Sequence, residues 1–280
     1  MRYEKMMFLL SLLPAIILLV IIYKTDKREK EPIGLLAKLF IFGVLSTFAA
    51  AIIGQLGDAI VTPILGTDSL LYLIIDNFIL TALVEEFGKY FVVKATAWKS
   101  PAFNYTFDAI VYAVFASLGF AAFENVLYLS SGSFSLAIMR GIFAVPGHAI
   151  DAVFMGYYFG LAKRYEVMGN LKLRGRYLRL ALIVPVLLHG FYDFCVSSGS
   201  DILLLVFFVY EAVITIVAIR KVRKLSKEDT AFFQGGYPGA TYVQNMYSTG
   251  VIKYDPATGK PYYVDPTRMN FDPMTGQRLK

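Results

Sequence analysis

The chain has 280 residues, of which 57% are hydrophobic and only 17% are charged, and its mean hydropathy is +0.57. This composition excludes an ordinary water-soluble globular protein and indicates a membrane protein. The formal net charge of +6 comes from lysines and arginines clustered in loops, so it does not indicate a nucleic-acid partner. The single cysteine, Cys195, excludes a disulfide framework and a cysteine-based metal site.

Long apolar runs recur along the chain, and each is long enough to cross a hydrocarbon layer of about 30 Å as a helix. The first run has a basic start but no small-x-small cleavage site after it, so we interpret it as an uncleaved anchor. The sequence predicts an all-α polytopic membrane protein with about seven transmembrane helices, at residues 6–23, 33–54, 72–95, 107–129, 137–162, 178–196 and 202–219.

Charges in the connecting loops predict the orientation of these helices. Lys and Arg cluster in every second connection, as in "YKTDKREKEP" after the first run and "RKVRKLSK" after the last. The intervening connections, such as "SSGSFSLA" and "SSGSD", contain neither residue type. Because basic loops stay on the cytoplasmic side, we expect the N-terminus outside and the C-terminus in the cytoplasm.

The composition changes after residue 227. Residues 228–280 are rich in Tyr, Gly and Pro, and "YDPATGK" and "FDPMTGQ" are near-repeats with turn-forming Asp-Pro and Thr-Gly pairs. We expect a transmembrane domain over residues 1–227, with its core at 70–196, and then a flexible cytoplasmic tail with local turns or hairpins. A small partner-binding module is the alternative interpretation of the tail.

The third run places charges where lipid would otherwise surround them. It contains "LVEEFGKYFVVK", with Glu85, Glu86 and Lys89, and one charged side chain at the bilayer centre costs roughly 2.5–3.5 kcal/mol. These side chains must therefore face the bundle interior, water or one another. Glu85 and Lys89 are four residues apart and can pair on one helical face, which leaves Glu86, about 100° around the helix, without a partner.

The next three runs each add polar residues at helical spacing, in "FENVLY", "PGHAID" and "HGFYDF". Both histidines of the chain, His148 and His189, fall in these runs, and each has a carboxylate on its own helical face, Asp151 or Asp193, that can orient the ring. Carboxylate plus imidazole is the chemistry of general-base catalysis on water, with or without a metal. Counting at 1.5 Å per residue, these groups gather between the membrane midplane and the outer face.

The motifs "EEFGK", "FENVLY" and "HGFYD" resemble the EExxK, FExxxY and HxxxD motifs of the PrsW intramembrane proteases, in the same order and on successive helices. The resemblance covers roughly residues 75–195. The chain also resembles the wider superfamily of the CAAX prenyl proteases, which use EExxxR, and Lys89 follows the PrsW form.

The resemblance implies a catalytic role for Glu85, Glu86, His148 and His189. Glu85 would be the base that activates water and Glu86 a second acid or ligand, while the histidines would bind a metal or stabilise the oxyanion. Lys89 would balance charge. The further supporting residues implied are Glu124, Asn125, Tyr128, Asp151, Asp193 and Asp108.

The resemblance also implies the reaction, which is hydrolysis of a peptide bond in a membrane-anchored protein. In the best-known members the substrate is a single-span anti-sigma factor that is cut on its extracytoplasmic side. We therefore expect an integral protein of a bacterial cytoplasmic membrane, with a single-span protein substrate and no organic cofactor.

Two questions stay open at the level of sequence. Glu124, His148 and His189 can form a zinc site, or a site for another divalent ion, with an open water position, but a metal-free glutamate–histidine site is the alternative. A proton- or ion-coupled transporter is the alternative function, because Glu, His and Asp within membrane spans also form proton relays. The internal repeats that such transporters often carry are not visible in this sequence.

Overall fold

The computed structural model describes residues 2–130 and 134–232, together with the backbone of strands β1 (Val251–Tyr254) and β2 (Pro261–Val264), which pair antiparallel. The α-helices in these residues are α1 (Arg2–Thr25), α2 (Ile33–Leu65), α3 (Leu70–Ile75), α4 (Val84–Thr96), α5 (Asp108–Ser130), α6 (Phe134–Ile142), α7 (Ala144–Val167), α8 (Leu171–Ser197) and α9 (Asp201–Lys227).

Five helical segments of the described chain are long and apolar enough to cross a membrane. They are α2, α5, the end of α6 together with α7, α8, and α9. The other two predicted spans coincide with α1 and with a continuous helical run over Leu70–Thr96. The all-α, multi-pass membrane fold is therefore confirmed, whereas the count of seven spans and the orientation stay predictions.

Helix α5 lies at the centre of the bundle, in contact with α1, α2, α4 and α7. Glycines on the neighbouring helices allow this close packing. A Cβ on Gly43 of α2 would collide with the Ala116 carbonyl of α5, and a Cβ on Gly156 of α7 would collide with the backbone of Ile110. Small residues let helix backbones approach one another in membranes. A helix that is apolar around its whole circumference is suited to this buried position.

The helical run Leu70–Thr96 contains a π-helical segment, Asp76–Leu83, between α3 and α4. At its start the buried amide of Asn77 donates to the Leu73 carbonyl at 2.7 Å and accepts from the Ser197 hydroxyl of α8 at 3.0 Å. A side-chain donor on the carbonyl four residues earlier competes with regular helix bonding, and π segments are frequent at functional sites. The apolar pattern of the sequence did not predict this segment.

The first residues of the predicted tail pack against the turn that precedes α5. The Asp229 carboxylate accepts from the Thr106 hydroxyl and from the Phe107 amide, both at 2.9 Å, and the Phe232 amide donates to the Asn104 carbonyl at 2.8 Å. The flexible tail over residues 228–280 stays a prediction beyond this contact. Most of its near-repeats lie outside the described residues.

A buried carboxyl lies beside this turn. Glu31, in the loop before α2, is only 2% exposed and accepts a hydrogen bond from the Tyr112 hydroxyl of α5. Burial raises the pKa of Glu31 to about 7. An exposed glutamate titrates near 4.5, so between these values the folded protein holds a proton that the unfolded chain has released. Folding stability therefore falls as the pH rises through this window.

We expect Glu31→Gln to stabilise the protein at about pH 8 and to change it little at about pH 5. Glutamine keeps the size of the side chain and removes the cost of ionising it, which amounts to at most about 3 kcal/mol. Thermal unfolding in detergent at the two pH values measures the effect. Glu29→Gln, which alters an exposed carboxylate of the same loop, is the control. An equal shift of the unfolding temperature at both pH values would contradict the prediction.

Candidate active site

A cavity of about 310 Å³ lies where α4, α5, α7 and α8 converge. These helices come from distant parts of the sequence, and each contributes at least one ionisable side chain. The titratable residues that line the cavity are Glu85, Glu124, Tyr128, Arg140, His148, Asp151, His189, Tyr192 and Asp193. The structure thus brings most of the predicted site residues to one place.

Lys89 lies beside this cavity, fully buried, and links two of the helices. Its ammonium donates to Glu86 Oε1 at 2.7 Å and to Glu85 Oε2 at 3.3 Å, both on α4. It also lies 2.9 Å from Nδ1 of His148 on α7. Because an ammonium can only donate, His148 accepts at Nδ1 and carries its proton on Nε2. Glu86, for which the sequence predicted no partner, therefore also pairs with Lys89.

The histidine rings lie next to each other, with centroids 5.1 Å apart and planes nearly perpendicular. Nε2 of His148 donates to Glu124 Oε2 at 3.0 Å. The ring of His189 lies between two carboxylates, with Nδ1 at 2.9 Å from Glu86 Oε1 and Nε2 at 3.1 Å from Asp193 Oδ2. The predicted partner of His189, Asp193, lies within ion-pair distance of the ring, whereas the hydrogen-bond partners of His148 are Lys89 and Glu124 and not the predicted Asp151. Both ring nitrogens of His148 and Nδ1 of His189 are thus hydrogen-bonded to protein groups, whereas Nε2 of His189 lies near Asp193 without a hydrogen bond to it.

Sequence reasoning missed Arg140 on α6. Its guanidinium lies 2.7 Å from Glu124 Oε2 and 3.8 Å from the ring centroid of Tyr128. The Nε atom is buried and has no hydrogen-bond partner in the described part of the chain. The sequence feature that could have identified it is a single arginine inside the fifth apolar run. Such a charge is as costly in lipid as the charges in the third apolar run.

Two of the predicted supporting residues, Asp108 and Asn125, make their contacts away from the site. Asp108 is 16 residues before Glu124 on α5, about 24 Å along the helix, and its carboxylate accepts from the amides of Asn104 and Tyr105. Asn125 is buried, but it donates to the Ser11 carbonyl of α1 at 2.9 Å. The motif resemblance grouped them with the site because it compares the order of residues along the chain, and neither the distance from the cavity nor the direction of the side chain.

Within the described residues, two sets of ligand atoms converge closely enough to hold a metal ion. Glu86, His148, Asp151 and His189 form a buried set, and Glu85, Glu124 and His148 form a second one, with the atoms of each set within 4.8 Å of one another. The predicted ligands Glu124, His148 and His189 are divided between the two sets.

The residues present fit such an ion. Imidazole and carboxylate are common ligands of zinc and of related divalent ions. In addition, Glu86 Oε2 is buried without a hydrogen-bond partner in the described residues, so it has free capacity to coordinate a cation.

Comparison with known proteins decides the family. The PrsW family intramembrane metalloproteases match the chain over residues 31–219, which contain every cavity residue named above. The chain belongs to this family. It is 35% identical to Protease PrsW of Oceanobacillus iheyensis over 214 residues, covering 76% of this chain and 93% of that protein. No solved structure matches the chain.

Other relatives of the PrsW family give the same result. The chain is 37% identical to Protease PrsW of Geobacillus kaustophilus over 180 residues, which cover 64% of this chain and 75% of that protein. It is 32% identical to Protease PrsW of Bacillus subtilis over 188 residues, or 67% of this chain and 81% of that protein. The protein is therefore a multi-pass intramembrane peptidase, and the transporter alternative is not favoured.

Loss of Arg140 tests the geometry of this PrsW site. We expect Arg140→Ala to lower the free energy of unfolding by about 1–3 kcal/mol, because Glu124 would keep its charge in a mostly buried position without its cationic partner. Thermal unfolding in detergent measures the change. The double variant Arg140→Ala/Glu124→Gln should be more stable than Arg140→Ala alone, since it also removes the charge that was left unpaired.

The control for this measurement is Arg174→Ala. Arg174 pairs with Glu166 at 3.1 Å on a far more exposed surface, where an ion pair contributes about 0–1 kcal/mol. Equal destabilisation by Arg140→Ala and Arg174→Ala would show that the Arg140–Glu124 pair is not the buried contact described here.

Proposed function

We propose that the protein hydrolyses a peptide bond of a membrane-anchored protein, with Glu85 as the general base that activates water. The observation that carries this assignment is the difference between the adjacent glutamates. Glu85 lines the cavity and its side chain is 13% exposed, whereas Glu86 is fully buried between Lys89 and His189. Of these two glutamates, only Glu85 is placed to receive a proton from water in the cavity.

The residues around Glu85 hold the site in position. Lys89 binds both glutamates and fixes the tautomer of His148, and Asp193 and Glu86 hold the ring of His189 from opposite sides. Such partners orient catalytic rings and limit their motion. Lys89 thereby balances the negative charges of Glu85 and Glu86, which is the role that the family resemblance implies for it.

Arg140 is the cationic donor best placed to stabilise the oxyanion. Lys89 donates to three protein groups and both ring nitrogens of His148 are engaged, so these two residues have little donor capacity left for substrate. Nε2 of His189 lies between the carboxylates of Asp193 and Glu85, at 3.1 and 3.9 Å. Arg140 lines the cavity, and its guanidinium has five N–H donors, which is more than its contact with Glu124 uses. A preorganised donor of this kind stabilises the negative charge that develops on the carbonyl oxygen during attack by water.

We further propose that the buried set of Glu86, His148, Asp151 and His189 holds a divalent metal ion, with zinc as the best match to its donors. To bind the ion, His148 would give up its present contact with Lys89 or with Glu124, because both of its ring nitrogens are engaged without the ion. A bound ion of this kind supplies a Lewis acid that polarises a carbonyl group and lowers the pKa of water. Glu85 lies next to this set, 3.9 Å from Nε2 of His189, and so remains available as the base.

The site lies nearer to one end of its membrane helices, and this position supports cleavage near one end of the membrane-spanning helix of the substrate. Glu124 is six residues before the end of α5 and His189 is eight residues before the end of α8, or about 9 and 12 Å along the helices. The connections beyond both ends lack Lys and Arg, and we place them outside the cell. The proposed substrate is a single-span protein, such as an anti-sigma factor, cut on the extracytoplasmic side of a bacterial cytoplasmic membrane.

Glutamine substitutions test catalysis. We expect Glu85→Gln to leave a folded protein but to reduce proteolysis at least about 100-fold, because glutamine keeps the shape and removes the base. Glu86→Gln should also reduce proteolysis, with a loss of thermal stability that Glu85→Gln does not share, since Glu86 is the more buried partner of Lys89. The assay uses proteoliposomes with a panel of single-span proteins, and mass spectrometry locates each new terminus.

The control for the assay is Glu228→Gln, an exposed carboxylate after α9 that should leave cleavage unchanged. Wild-type rates with Glu85→Gln would show that Glu85 is not the base. A new terminus on the cytoplasmic side of the substrate helix would overturn the proposed depth of the site. Absence of cut fragments for the whole panel would count against the single-span substrate class.

Metal analysis tests the ion independently of activity. We expect protein purified without a histidine tag to contain about one zinc or other divalent ion per chain, and His148→Ala and His189→Ala to reduce this content strongly. Glu31→Gln alters a buried carboxyl outside both sets and should keep the ion. A metal content near zero in a preparation that cuts substrate would establish the metal-free alternative.

A further inference from the structure

A second and larger concavity lies on the outer surface of the bundle, between α2 and α4. Its volume is about 1140 Å³, and its walls are almost wholly apolar, with Leu45 and Ile53 on α2 and Phe87 and Phe91 on α4. Gly88 lies at its floor, where a Cβ would be 3.5 Å from the Ser46 side chain. We call this concavity the α2–α4 groove. Its apolar walls are typical of a surface that contacts hydrocarbon.

Two lysines lie at one end of the α2–α4 groove. Lys38 is on α2 and Lys99 follows the end of α4, and both line the groove and are exposed. Neither forms an ion pair with a carboxylate in the described part of the chain. This is also the end of the bundle at which the basic loops lie. The groove therefore offers two uncompensated positive charges at the mouth of an apolar channel.

The distance from the lysines to the far end of the α2–α4 groove matches one leaflet of a bilayer. Along α2, Lys38 and Ile53 are 15 residues and thus about 22 Å apart, and the lining continues beyond Lys38 to Leu35 and Pro32. Half of a bilayer has about 15 Å of hydrocarbon and about 5–7 Å of headgroup region. An apolar channel of this length with lysines at one end has the dimensions and the charge of a single phospholipid.

We propose that the α2–α4 groove binds one anionic phospholipid, whose phosphate lies between Lys38 and Lys99 and whose acyl chains lie along the apolar walls. Basic pockets between membrane helices are known to bind anionic headgroups in this way. A bound lipid would pack α2 against α4, the helix that carries Glu85 and Glu86 on its other face, and would thereby support the position of the active site.

The placement of α4 favours a lipid over a substrate helix. Phe87 and Phe91 line the groove, whereas Glu85 lines the cavity and the side chains of Glu86 and Lys89 are buried in the bundle. A peptide in the α2–α4 groove would therefore be separated from the general base by the helix itself. A substrate must reach the catalytic groups, whereas a bound lipid does not have to.

Photocrosslinking tests the proposal and does not depend on proteolysis. p-Benzoylphenylalanine is placed at Leu45 in the groove or, as control, at Leu205 on α9, which is similarly exposed outside the groove. The protein is reconstituted in vesicles of phosphatidylglycerol and phosphatidylcholine in equal parts, irradiated and analysed by mass spectrometry. We expect an excess of phosphatidylglycerol adducts at Leu45 and no lipid preference at Leu205.

Substitution of the lysines tests the headgroup site. One basic residue near an anionic surface changes binding about fivefold, so Lys38→Gln/Lys99→Gln should lower the ratio of phosphatidylglycerol to phosphatidylcholine adducts by up to about 30-fold. Lys27→Gln/Lys172→Gln removes two exposed lysines from the same end of the bundle, outside the groove, and should leave the ratio unchanged. A similar fall in both double variants would show that the charge of the surface, and not the groove, selects the lipid.

Filling the groove gives a second test that keeps the lysines. Ala49→Phe places a ring in the groove and should reduce adduct formation at Leu45, whereas Ala51→Phe, on the same helix but outside the groove, should not. Equal capture of both lipids at Leu45 would overturn the proposal. Capture of a protein segment in place of a lipid, in membranes of cells that express the protein, would show that the groove seats a helix.

Discussion

The burial of one ammonium group organises this structure. Lys89 is fully buried within an apolar bundle, where an unpaired charge would be costly, and it contacts Glu85, Glu86 and His148. Breaking a buried ion pair is strongly destabilising because the remaining charge stays buried without a partner. The Lys89 ammonium stays paired with His148 only while α4 and α7 hold these side chains within contact distance, and Glu86 extends the same requirement to His189 on α8.

Backbone geometry places these groups with little freedom. Close approach at Gly43 and Gly156 holds α2 and α7 against α5, so Glu124 comes within hydrogen-bond distance of His148. The π-helical segment before α4 is pinned through Asn77 to α8, the helix that carries His189. A catalytic site built on packed helices is more rigid than one built on loops, which suits a reaction that depends on aligned donors and bases.

Helix α4 separates two environments. One face carries Glu85 and Glu86 toward the site, and the other presents Phe87 and Phe91 to the α2–α4 groove. The position of the base is thus determined jointly by the polar contacts on one side and by the apolar contacts on the other. A lipid in the groove would connect the composition of the membrane with the geometry of a PrsW-type site.

The sequence by itself determined the membrane class, the positions of most helices and the polar residues within them, which the resemblance to the PrsW family then grouped into the EExxK, FExxxY and HxxxD motifs. These features are readable because the cost of a charge in hydrocarbon and the periodicity of a helix are local properties of the chain. Only the tertiary structure decided that Arg140 pairs with Glu124, that Asp108 and Asn125 make their contacts away from the site, and that Asp76–Leu83 is π-helical. Those outcomes depend on how each helix is rotated and shifted against its neighbours, and that rotation is set by packing between segments far apart in the chain.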